Sequence, residues 1–139
     1  GTADDKLSGG DGNDRLTGGQ GKDVLTGGKH NDTFVFDDLG GQMDIVVDFA
    51  AGDLLDIGAF IQADAPGMSF VDLVNGGYLI ISTGAFSTGQ STDSTTLSNT
   101  VLAWDADGSA GNAATVQNIV TLEDYATALT DANFINFAQ

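Results

Sequence analysis

Cysteine is absent from the sequence, and proline, histidine, glutamate and tryptophan each occur once. Without thiols there is neither a disulfide staple nor thiol chemistry, which leaves metal binding as the substitute for a covalent cross-link in a secreted chain. Basic residues are also scarce. The four are Lys6, Arg15, Lys22 and Lys29, and nothing from His30 onward is lysine or arginine. A net charge of −16 on 139 residues excludes nucleic acid and anionic membranes as partners. Self-repulsion on that scale opposes compaction unless cations bind. No apolar run is long enough to cross a membrane, and no signal peptide is legible. One histidine, no cysteine and no nucleophile motif argue against catalysis. Paired carboxylates abound, but glycosidase-type work needs a polarised pair in a cleft; a set of cation ligands explains the same aspartates with fewer assumptions.

What is plentiful is glycine, with 20 residues, and aspartate, which outnumbers glutamate nineteen to one. Aspartate favours turns, is poor in helix interiors and is a good ligand for a hard cation. Numerous Thr, Val, Ile and Phe complete an all-β profile. The length is that of one domain able to bury a core. Three consecutive nine-residue units stand out: Gly9 to Thr17 (GGDGNDRLT), Gly18 to Thr26 (GGQGKDVLT) and Gly27 to Val35 (GGKHNDTFV). Each reads G-G-x-G-x-D-x-U-x, with U a large apolar residue, except that His30 replaces the second-half glycine of the third. Glycines permit positive φ and close backbone approach, the turn exposes carbonyl oxygens, the aspartate adds a charged oxygen, and x-U-x is a short strand with one inward side chain. A flexible Gly/Asp linker has no reason to keep this register of Leu7, Leu16, Leu25 and Phe34. The preceding unit, Gly1 to Ser8, keeps the aspartate and leucine but opens in mid-repeat with Ala3 at a glycine position, as a fragment of a longer protein does.

This array resembles the calcium-binding nonapeptide of RTX (repeats-in-toxin) β-rolls. The resemblance implies two nonapeptides per coil, so Leu7 stacks on Leu25 and Leu16 on Phe34. It also implies ions held between turns one coil apart. Carbonyls of Gly10 and Gly12 with Asp14 face carbonyls of Gly27 and Lys29 with Asp32. Carbonyls of Gly1 and Ala3 with Asp5 face those of Gly18 and Gln20 with Asp23. Further sites use Gly19 and Gly21, and Gly28 and His30 with Asp44. His30 on this reading offers its carbonyl, not its imidazole.

Beyond Val35 the glycine repeat stops while strands continue. The run D-T-F-V-F (32–36), then D-x-x-x-D-F-x-x-G-D-x-x-D-I (44–57), is similar to the passage from roll to sandwich in serralysin-type RTX domains. There, acidic residues at the positions of Asp44 and Asp53 complete or cap the last calcium sites. Two apolar runs, 68–74 and 78–82, flank an Asn-Gly-Gly turn and predict a hairpin. The Ser/Thr tract 87–99 reads as a surface loop. Strands are expected at 100–104, 115–122 and 133–137, with a helical turn at 123–128. Asp105 to Gly108 reads as a tight turn, with a metal site at Asp105 and Asp107 as the alternative. The stretch W-D-A-D-G…V-x-x-I-V-T-L…L-T-D-A-N-F is similar to the C-terminal ends of RTX proteins exported by type I secretion, which places an export signal at 129–139.

The expected architecture is therefore all-β: a parallel β-roll over residues 1–44 continuing into an antiparallel β-sandwich over 45–139. The implied function is a non-catalytic module of a secreted protein, binding several Ca²⁺ ions, folding outside the cell and engaging the type I secretion machinery during export. The alternative is an extracellular adhesin, surface-layer or polysaccharide-binding module on the same roll.

Overall fold

The repeats fold as short parallel strands in a computed structural model of the chain, which describes residues 1–38, 42–84, 99–108, 116–125 and 127–135. Strands β1 (Lys6–Asp11), β3 (Val24–Lys29) and β5 (Asp44–Val46) lie side by side in one sheet. Strands β2 (Arg15–Thr17), β4 (Thr33–Val35) and β6 (Leu54–Asp56) form the facing sheet. All neighbours are parallel, with Leu7 paired to Leu25 and Leu16 to Phe34 as the repeat spacing predicts. Alternation in so short a strand selects one inward residue: Leu16 is buried between exposed Arg15 and Thr17. The next pairings, Leu25 with Val46 and Phe34 with Leu55, preserve the apolar stack after the glycine pattern has ended.

The roll does not stop at β5. Strand β9 (Val116–Leu122) pairs parallel with β5, and β8 (Asn99–Asp105) and β7 (Leu79–Gly84) add antiparallel to give the order β1-β3-β5-β9-β8-β7. The sequence-based division at 44/45 thus falls inside a strand hydrogen-bonded to both the roll and the C-terminal strands. Inward residues of the two sheets, including Leu25, Phe34, Val46, Leu55 and Leu122, join Ile57, Leu73, Leu79, Leu102 and Trp104 in one core. Trp104 is fully buried, its indole N–H donating to Asp64 at 2.8 Å, with Phe60 and Tyr78 each 6.1 Å away by ring centroid.

Helices occur where the sequence reading places none. The run 68–74, expected as the first strand of a hairpin, is instead covered by α2 (Phe70–Asn75), so β7 pairs only with β8. Ser69 accepts the Asp72 N–H and the Asp72 carboxylate accepts the Ser69 N–H, a capping box that starts a helix. A second helix, α1 (Gly58–Asp64), buries Phe60 and Ile61. The strand expected at 133–137 is replaced by a single 3₁₀ turn, Asp131–Asn133, followed by Phe134 bridging to Leu55; residues 136–139 lie outside the described set. Of the helical turn expected at 123–128, residues 123 and 124 form a tight turn in which Asp124 has φ +57°, and residue 126 lies outside the described set. Of the Ser/Thr tract only Asn99 is described, and it opens β8. The Asp105–Gly108 segment is a turn, as expected, closed by the Gly108 N–H on the Asp105 carbonyl at 3.3 Å.

His30 takes φ +79° where the corresponding Gly12 and Gly21 take +130° and +123°. A side chain there costs about 1–2 kcal/mol, offset in part by the larger entropy a glycine loses, about 0.5–1 kcal/mol. His30→Gly is therefore expected to stabilise the folded protein by about 0.5 kcal/mol, read as a higher urea midpoint with an unchanged slope.

Candidate metal centre

Two rows of aspartates run along the roll, one on each side. On one side Asp5 donates its backbone N–H to an oxygen of Asp23 (2.8 Å), and Asp23 donates likewise to Asp44 (2.9 Å). On the other, Asp14 donates to Asp32 and Asp32 to Asp53, both at 2.9 Å. The sequence separation changes from 18 to 21 residues at the last step of each row, yet the bond is the same. Asp44 and Asp53 are thus the structural successors of the repeat aspartates. A second ladder runs in the opposite sense one residue earlier: Asp4 accepts from Lys22 N–H (2.9 Å) and Asn13 from Asn31 N–H (3.1 Å). Adjacent residues in each turn therefore bind the next turn in both directions, which holds the carboxylates in line.

These bonds occupy one carboxylate oxygen each of Asp23, Asp32, Asp44 and Asp53. Oδ2 of Asp14 and Oδ2 of Asp23 are buried with no hydrogen-bond partner among the described residues. A buried carboxylate oxygen left in this state is costly, by about 1–3 kcal/mol or more for a charged group, and a cation removes the cost. The space beside these oxygens depends on glycine. A Cβ on Gly9 would lie 2.6 Å from both Asp14 Oδ2 and the Gly27 carbonyl oxygen, and a Cβ on Gly18 or Gly27 would collide with the carboxylate of Asp23 or Asp32. A charged oxygen and a peptide carbonyl oxygen from the next coil thus both border Gly9, and oxygens of these two kinds are what a hard cation takes.

The other carbonyls predicted to face an ion line the same turns. Gly1 O accepts the Gln20 N–H (2.9 Å), Gly18 O accepts from the Gly1 amino group (2.6 Å), and Lys29 O accepts from Gly12 (3.3 Å). The Ala3 carbonyl backs onto Gly21, that of Gly1 onto Gly19 and that of Gly10 onto Gly28. His30 is exposed. Arg15 pairs with Asp56 at 2.7 Å and Lys29 with Asp11 at 3.0 Å. Among the described residues no three acidic or histidine side chains converge.

Sequence reasoning missed Asp48 and the Asp4/Asn13 ladder. Asp48 accepts from both Gly27 (2.9 Å) and Gly28 (2.8 Å) N–H groups. It stands 21 residues after Gly27, the same offset that links Asp32 to Asp53. That longer period was the available signal.

Stacking acids has an electrostatic consequence. Burial, with a smaller push from the Asp23 charge, raises the Asp44 carboxyl from 3.8 to about 6 against the opposing Asp23 N–H. Burial likewise raises Asp53, opposed by N–H groups of Asp32 and Ala50 and reinforced by the charges of Asp32 and Asp48. Between pH 3.8 and about 6 the folded, metal-free chain holds a proton on Asp44 that the unfolded chain has released. Its stability therefore falls as pH rises through this window. In calcium-free buffer the β-signal in circular dichroism is expected to grow on acidification from pH 7 to pH 4. Asp44→Asn, which keeps the acceptor for Asp23, should already show part of that gain at pH 7. A wild-type signal that shrinks on acidification contradicts this account.

The sequence pattern of the RTX calcium-binding nonapeptide repeat matches residues 1–37 in four copies. No curated protein matches the chain by sequence. Among solved structures it is similar to the solution structure of the AlgE6R2 subunit of the Azotobacter vinelandii mannuronan C5-epimerase. That match is 24% identical with a TM-score of 0.43, covering 99% of this chain and 89% of the other. The AlgE6R3 subunit of the same epimerase is 23% identical with a TM-score of 0.34, covering 97% and 80%. Residues 1–37 thus form a calcium-binding β-roll of RTX nonapeptide repeats, with in-register coils and paired aspartate rows.

Proposed function

We propose that the chain is a Ca²⁺-dependent folding module of a secreted protein: a roll over residues 1–44 that closes on calcium outside the cell, on a cap over 45–139 that carries a type I export signal at about 129–139. The observation that carries the calcium switch is the pair of buried, unpartnered oxygens of Asp14 and Asp23 on ladders whose every rung brings another carboxylate. Asp5, Asp14, Asp23, Asp32 and Asp44 supply the charged ligands, and carbonyls of Gly1, Ala3, Gly10, Gly12, Gly18, Gly19, Gln20, Gly21, Gly27, Gly28, Lys29 and His30 the neutral ones. Leu16 and Leu25 are the only large apolar residues their repeats bury, and the third repeat adds Phe34 and Val35; about 2 kcal/mol of driving force per such residue is comparable to the cost of ordering one or two residues of backbone. With calcium at tenfold over a dissociation constant of about 10⁻⁴ M, each ion adds about 1.4 kcal/mol. Low cytosolic calcium then leaves the roll open for export, and the extracellular medium closes it.

The tail fits a signal read before folding. Leu129 and Phe134 are buried in the core, and Phe134 bridges Leu55, so these two apolar side chains are available to a receptor only before the chain folds, while Thr130, Asp131 and Ala132 stay exposed. The polysaccharide-gripping alternative has little to recommend it, since Trp104, the best stacking side chain, is fully buried.

Calcium added to the chelated chain is expected to raise the β-signal with a midpoint of about 10⁻⁴ to 10⁻³ M. Asp14→Ala should shift that midpoint upward far more than Asp93→Ala. An identical signal in chelator and in millimolar calcium contradicts the proposal. For export, deleting residues 129–139 should abolish passage through a type I secretion system. Asp14→Ala should leave passage intact while lowering the folded fraction outside; efficient export of the deleted chain removes the signal from that segment.

A further inference from the structure

The two aspartate rows end differently. In the repeats, the second carboxylate oxygen lies against a glycine five residues earlier: Gly9 for Asp14, Gly18 for Asp23 and Gly27 for Asp32. The residue five before Asp53 is Asp48, so a side chain stands where the repeats have a glycine. Asp53 is bonded differently. One of its oxygens accepts the Asp32 N–H at 2.9 Å and the other the Ala50 N–H at 2.8 Å, while the Asp53 N–H donates back to the Ala50 carbonyl at 3.1 Å. Asp48 in turn takes the N–H groups of Gly27 and Gly28. Where Asp14 leaves a buried oxygen without a partner, Asp53 has both oxygens engaged.

We infer that Asp53 is not a calcium ligand and that the 48–53 turn is a metal-free cap, in which the carboxylates of Asp48 and Asp53 close the Asp14–Asp32 row on backbone N–H groups in place of an ion. The roll then has one end that forms without calcium, and the metal-dependent turns stack on it. This inference rests on the calcium-binding reading and narrows it, assigning ions to the glycine turns and none to the turn between Phe49 and Gly52. The Asp53 half of the family resemblance is thereby a cap.

Calorimetric titration with Ca²⁺ tests it on the whole chain. Asp53→Asn is expected to bind the same number of ions as the unaltered chain, with a lower melting temperature, whereas Asp14→Asn binds one fewer. Loss of one ion in Asp53→Asn overturns the inference and leaves the calcium reading standing. No calcium uptake by the unaltered chain overturns both. Because either variant can be poorly folded, crystals of the calcium-loaded unaltered chain provide a second measurement. Anomalous density is expected beside Asp14 and Asp23; a calcium peak at coordinating distance from Asp53 overturns the cap.

Discussion

Everything in this molecule depends on carboxylates being stacked where they repel one another. The bonds from the N–H groups of Asp5, Asp14, Asp23 and Asp32 to the carboxylate one coil further on hold the parallel coils in register at both the 18- and the 21-residue spacing. A conventional sheet would find its register from cross-strand apolar pairs. Here β2 buries a single apolar residue and β4 and β5 only two each, and the side-chain ladder adds to the alignment. The charge accumulated along each row is the cost, and burial makes it heavier, as the raised pKa of Asp44 shows. A divalent cation bound between the turns, as proposed, would turn that liability into cohesion, because it would attract both the acids and the carbonyl dipoles of the turns.

The C-terminal half supplies what the roll cannot. Its strands extend the roll's own sheet through the β5–β9 pairing, so the inward leucines and Phe34 meet a deeper layer around Trp104, Leu102 and Ile57. Repeat arrays need such an end, since an exposed terminal coil leaves its apolar face and its backbone groups unsatisfied. Asp48 and Asp53 serve the same purpose in polar form: they meet the last N–H groups of the glycine turns with side chains when no further glycine turn follows. Arg15 also ties the two halves, reaching 41 residues along the sequence to Asp56.

The parts of the fold legible in advance were those governed by local period. Nine-residue spacing determined the register, the inward residues, the positions of the aspartates and the placement of β8 and β9 by their apolar runs. Reading failed where a short apolar run suits either a helix or a strand. Met68 to Val74 has strand-like composition, but Ser69 and Asp72 cap each other and the run became α2. Asp48 was visible as a residue of the motif, yet its role depends on a coil three residues longer than the repeat.

By itself, the sequence determined that this is a calcium-type roll with acids in two rows, because glycine spacing, aspartate position and one apolar residue per repeat are local properties that any coil of this period must express. Only the tertiary structure decided how the rows end and what covers them. The partners of Asp53, the burial of Trp104 and the junction of β5 with β9 join residues far apart in the chain. No local period encodes such contacts, and packing alone selects them.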